Sequence, residues 1–118
     1  MIDVDVALWV EYDDGTKEPL ALIETAVDRG QDMKPATVIR NLARRCNPVL
    51  HAYVLLYRLA AEANPADARH RDIDRFRVRR IWPPPETAWH VLTPRKWAEW
   101  PVELRARAAR QTGKAVSV

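Results

Sequence analysis

The stretch "IDVDVALWVEY", residues 2–12, alternates strictly, with Ile2, Val4, Val6, Leu8 and Val10 on one side and Asp3, Asp5, Ala7, Trp9 and Glu11 on the other. A period of two is the signature of a half-buried strand, because successive side chains leave a pleated backbone on opposite faces. The alternation meets "DDGT" at 13–16, a turn signal centred on Asp14-Gly15, and extended character resumes in "EPLALIETAV". The chain is therefore expected to open on a β-hairpin.

Pro35 suits the first turn of a helix over "PATVIRNLARRCN", in which Val38, Leu42 and Cys46 recur at four-residue spacing and Asn47-Pro48 is the stop. "VLHAYVLLY", residues 49–57, is a nearly continuous apolar run, the pattern of a central strand buried on both faces. "RLAAEANPADARHRDID" is polar and reads as a surface excursion, and "RFRVRRIW", residues 75–82, alternates again and reads as an edge strand. After "WPPPET", Thr93 caps and Pro94 starts a final helix, which Pro101 interrupts before "VELRARAARQ" continues it. The expected architecture is α/β (α+β), a mixed β-sheet with order β-β-α-β-β-α in one domain spanning 1–118.

Composition removes several function classes. A single cysteine, Cys46, excludes an internal disulfide and a cysteine-cluster zinc site, and in a helical pattern it reads as a small buried side chain. His51, His70 and His90 lack metal-ligand spacing, and there is no glycine-rich phosphate loop or serine nucleophile motif. No apolar run is long enough to span a bilayer, and "MIDVDVALW" carries acids where a secretion signal carries lysines, so no membrane and a cytoplasmic location are expected. The formal charge of +3 is uneven, with acids gathered before residue 33 and arginines from 40 onward. A basic surface beside a small acidic cluster suits a polyanion held near a metal, although many inert domains also present basic faces to solvent.

Glu24 is the residue that demands an account, because Leu20, Leu22 and Ala26 shield the strand in which it lies. A two-residue turn at Asp14-Gly15 sets Asp5 opposite Glu24, and like charges facing each other across a sheet are destabilising unless something compensates. A hard divalent cation would do so. A three-residue loop with Gly15 in a left-handed bulge would instead shift the register and part the two acids.

This arrangement resembles the PD-(D/E)XK, or restriction-endonuclease-like, nucleases, in which an acidic strand, a turn, a Glu-containing strand, a helix and a buried strand follow in this order. The likeness runs from about residue 2 to 57: Asp5 in "DVAL", Glu24 in "LIETA", then "PATVIRNLARRC" and "HAYVLLY". It implies a restriction-endonuclease-like core and Mg²⁺, with Mn²⁺ substituting, on Asp5, Glu24 and the Thr25 carbonyl, so that a bound water attacks a DNA phosphodiester in line. The lysine that the family carries two positions after the glutamate is Ala26 here, and Lys34 at the start of the next helix is the substitute, with Gln31 a weaker one. The family's leading helix and first strand have no counterpart in the matching stretch; residues 75–111 or a second copy of the chain in a homodimer would supply them.

Two function classes follow. One is a small, degenerate Mg²⁺-dependent nuclease-like domain with Asp5, Glu24 and Lys34 as catalytic residues and Arg40, Arg44, Arg75, Arg77 and Arg79 as nucleic-acid contacts. The other is a non-catalytic protein- or nucleic-acid-binding or assembly module on the same sheet. The bland counterparts are a Glu24 salt bridge to Arg40 or Arg44, charged residues protecting an edge strand, and Trp97 and Trp100 as core.

Overall fold

The computed structural model describes residues 6–46, 50–63, 65–66, 69 and 71–117. Five strands and two helices follow in the order β1 (Val6–Glu11), β2 (Lys17–Val27), α1 (Thr37–Arg45), β3 (His51–Leu59), β4 (Ile73–Trp82), β5 (His90–Leu92) and α2 (Pro94–Thr112). One sheet has the order β1-β2-β3-β4-β5. β2 and β3 are parallel and every other neighbouring pair is antiparallel, so the α+β class and the mixed sheet are as expected.

The hairpin joins both turn geometries that the sequence left open. Gly15 adopts φ +84°, a left-handed conformation that favours glycine, and Asp14 accepts a hydrogen bond from the Thr16 amide at 2.9 Å. Next to this turn Glu11 faces Lys17 and Val10 faces Glu18, the register of the longer loop. A bulge then inserts Leu20 into β2, and beyond it Leu8 faces Ala21 and Val6 faces Ile23, the register of the shorter one. Because one inserted residue exchanges the two faces of a strand, the bulge decides which face Glu24 occupies. Residues 2–5 of the expected first strand, Asp5 among them, lie outside the described residues, as do Asn47, Pro48 and His70.

Each face of the sheet carries one helix. On one side Leu8, Ala21, Ile23, Leu55, Phe76 and Val78 form a core closed by Trp97, Trp100 and Leu104 of α2. Trp97 and Trp100 are thus core residues, with Trp100 edge-on to Tyr53 at 4.8 Å between ring centroids. On the other side Ile39 and Ala43 of α1 pack on Leu22, Leu50 and Ala52. β3 is the central strand, and its Ala52, Val54, Leu55 and Leu56 are buried as the apolar run requires.

Three expectations are corrected. The buried seam of α1 is Ile39 and Ala43, while Val38 and Leu42 are exposed and Cys46 is only half-buried, because the helix axis presents the neighbouring stripe to the sheet. β4 is not an edge: β5, a short strand after the proline stretch, pairs with Phe76–Val78, and the element order gains a strand. α2 runs unbroken through Pro101, capped by the Thr93 hydroxyl, which accepts from the Lys96 amide at 3.2 Å, and ended by Gly113 at φ +71°. Among the described residues no helix is long and apolar enough to cross a membrane.

Candidate functional site

Beyond the footprint of α1, the same sheet face carries Glu24 from β2, Val54 and Leu56 from β3, and Arg75, Arg77 and Arg79 from β4, as the registers Glu24↔Val54, Leu56↔Arg77 and Val54↔Arg79 require. The loop between β2 and α1 folds back over this face and is tied to it by one acid. The Asp28 carboxylate, only 2% exposed, accepts from Arg77 Nη2 at 2.7 Å and Nε at 2.9 Å, from Arg75 Nη2 at 3.2 Å, and from the Gly30 amide at 2.9 Å. Arg77 also donates to the Gln31 carbonyl at 3.0 Å, and Trp89 Nε1 donates to the Asp32 carbonyl at 2.8 Å. Hydrogen bonds from Arg77 hold the Asp28 carboxyl well below the usual carboxylate range, against the opposing effect of its burial, with the Gly30 amide and Arg75 adding to them.

The loop so fixed delivers Lys34, whose Nζ lies 3.7 Å from Glu24 Oε2. Both side chains are shielded, Glu24 at 14% exposure and Lys34 at 31%. Lys34 also lines a cavity of about 620 Å³, together with Arg40 from α1, Arg79 from β4, Asp32 and Glu86. Arg79 lies 5.0 Å from the centroid of the Trp89 ring, and Arg77 lies 4.9 Å from the same centroid. Among the described residues no carboxylate pairs with Arg40 or Arg79, and Arg79 Nε is buried without a hydrogen-bond partner. Three cationic side chains thus share one concavity with the carboxylates of Asp32 and Glu86, and Lys34 links it to Glu24.

The structure divides the residues proposed from sequence. Glu24 and Lys34 meet, and Arg40 and Arg79 share a cavity with Lys34. Thr25 is the next residue of β2, pairs with Leu55 and so directs its side chain to the opposite face. Arg75 and Arg77 are engaged by Asp28, and Arg44 stacks over Trp82 at 5.1 Å. Among the described residues Glu24 forms its ion pair with Lys34. Among the described residues no group of three or more His, Cys, Asp or Glu side chains could together hold a metal ion.

Asp28 has no role in the reading of the sequence. "DRG" could have flagged an Asx turn at Asp28, since Gly30 takes φ +77° and returns its amide to that carboxylate. Its pairing with Arg77, 49 residues away, had no local signal. No protein-family model, curated protein or solved structure matches the chain.

Proposed function

We propose that this chain is a small nuclease-like domain that cleaves DNA phosphodiesters with the help of Mg²⁺, and that the face bearing Glu24 and Lys34 is its working surface. The observation that carries this reading is the double role of Lys34, whose ammonium meets Glu24 while its side chain lines the basic cavity shared with Arg40 and Arg79. A phosphate held by those arginines would lie beside a carboxylate and a cation. The order of elements adds support, since a β1–β2 hairpin followed by α1 and the buried strand β3 is the succession implied by the resemblance to PD-(D/E)XK nucleases.

A hard divalent cation is the metal this reading requires. Mg²⁺ is commonly held by one or two carboxylates, with waters and substrate phosphate oxygens completing its shell. Glu24 would supply one such oxygen ligand, and the resemblance assigns the second to Asp5 and a carbonyl to Thr25. When bound, the ion would polarise the scissile phosphate and acidify a coordinated water.

The remaining work belongs to the protein's own side chains. Arg40 and Arg79 hold phosphate oxygens and set the register of the strand, as guanidinium forks do without reading sequence. Lys34 orients the attacking water and opposes the charge that develops on the phosphate. Asp28 acts through the loop as a positioning residue: by pinning residues 28–34 it keeps Lys34 over Glu24.

The test is cleavage of linear, nicked and branched DNA by wild type, Glu24→Gln and Lys34→Met with Mg²⁺ or Mn²⁺. Lys34→Met is expected to lower the rate on the order of a hundredfold or more while retaining the melting-temperature rise that metal produces. Glu24→Gln is expected to lose both. Wild type that cuts none of these substrates with either ion would overturn the enzymatic reading in favour of a non-catalytic binding module. Lys34→Met that cuts like wild type would place the chemistry at another residue.

A further inference from the structure

The opposite face of the sheet carries a second concavity, of about 600 Å³, between β2–β5 and the C-terminal half of α2. Its walls are apolar, formed by Leu20, Leu50, Val78, Leu92, Trp100 and Leu104. Among the polar groups set into these walls are His51 and Tyr53 from β3, Arg80 from β4 and Arg107 from α2, beside Glu18, Glu86, His90 and Gln111. His51 Nδ1 and the Tyr53 hydroxyl lie 3.2 Å apart.

The charges in this cleft are unequally satisfied. Of its two carboxylates, Glu18 accepts from the Tyr12 hydroxyl at 2.6 Å. Glu86 is held at 2.7 Å from His90 Nε2 and at 2.8 Å from the Arg80 amide. Among the described residues, neither Arg80 nor Arg107 forms a salt bridge with a carboxylate; the Arg80 Nε donates to the Pro84 carbonyl at 3.0 Å. Two guanidiniums thus line the cleft together with two hydrogen-bonded carboxylates.

Partial burial, then the Arg80 and Arg107 charges, push the His51 pKa down, so its ring is neutral at pH 7. Burial raises the Tyr53 pKa, so its hydroxyl keeps its proton. A neutral imidazole hydrogen-bonded to a phenol leaves that pair one donor, so with the two guanidiniums the cleft offers three donor groups beside its two carboxylates.

We infer that this cleft is a ligand site for a phosphomonoester with an aromatic or aliphatic body, the phosphate held by Arg80, Arg107 and the His51–Tyr53 pair, the body lying against Trp100 and the leucines. Phosphate suits the donors better than carboxylate does, because three donor groups meet three terminal oxygens rather than two. The apolar walls favour an esterified body over inorganic phosphate, and the volume falls within the range of small-molecule sites. The site is independent of Glu24 and Lys34, which occupy the other face.

Isothermal titration with phenyl phosphate, inorganic phosphate and benzoate tests this directly. Phenyl phosphate is expected to bind saturably, about tenfold or more tighter than inorganic phosphate, the gain coming from burial of its ring. Arg107→Met, on the exposed side of a helix, and Arg80→Met are each expected to weaken phenyl phosphate by about tenfold or more, as loss of a charged hydrogen bond does. Glu24→Gln and Lys34→Met are expected to bind it like wild type. The inference is overturned if phenyl phosphate shows no saturation at millimolar concentration, if benzoate binds as tightly, if folded Arg107→Met keeps the wild-type affinity, or if the loss appears in the Lys34 variant instead.

Discussion

Replacing Asp28 by Asn keeps the shape of the side chain and removes its charge, so it isolates the ion pair that ties the β2–α1 loop to the sheet. An exposed pair would contribute at most about 1 kcal/mol. This one is different, because the carboxylate is 2% exposed, Arg77 is 14% exposed, and their contacts of 2.7 and 2.9 Å form a two-point fork. Breaking a buried pair from one side costs about 3–5 kcal/mol, since the remaining charge is left without compensation. Arg75, at 35% exposure, is rehydrated easily and adds little. The lower end of that range is therefore expected, about 3 kcal/mol, which for a chain of 118 residues is a fall in melting temperature of about 12 °C.

The pH dependence provides the internal control. A carboxyl whose folded pKa is depressed contributes stability that is present above its unfolded pKa, about 3.9, and is lost as pH falls below it. Urea unfolding of wild type and Asp28→Asn should differ by about 3 kcal/mol at pH 7 and converge as the pH drops below about 4. The double variant Asp28→Asn, Arg77→Met should be more stable than Asp28→Asn alone, because no guanidinium is then stranded. A loss under about 1 kcal/mol at pH 7, or one that persists unchanged in acid, would refute the account of a buried pair.

The α1 seam and the cavity arginines make further expectations. Ile39→Ala should cost about 2–5 kcal/mol in chemical unfolding and Leu42→Ala under about 1 kcal/mol, and the reverse order would return the α1 seam to the one read from spacing. If Arg40 and Arg79 contact the backbone, the double change to Ala should flatten the salt dependence of DNA affinity by a slope of roughly 2, whereas Arg75→Ala should leave that slope nearly as it is; fluorescence anisotropy across a salt series reads both.

Some of the molecule was legible from neighbouring residues alone. The alternation in "VALWVE", the Asp14-Gly15 turn, the apolar run of β3 and the Thr93 cap each rest on interactions spanning a few positions, and each appears where the pattern puts it. Lys34 belongs here in part, since a cation shortly after β2 must lie near the end of that strand, and it meets Glu24. Spacing could not choose between the two apolar stripes of α1, because "VIRNLARR" offers Val38 and Leu42 on one and Ile39 and Ala43 on the next. That choice depends on how the helix axis lies over Leu22 and Ala52, which is a property of the assembled sheet.

What only the tertiary structure decided is which distant groups meet. The Leu20 bulge that aims Glu24, the β5 strand that removes β4 from the edge, the Asp28–Arg77 pair and the two clefts all depend on strand order and register. Those are settled when every element buries its apolar face at once, and no window of sequence contains that condition. Arg75, Arg77 and Arg79 show the consequence: three residues of one type at one spacing, two engaged by a single acid of the β2–α1 loop and one left facing a cavity.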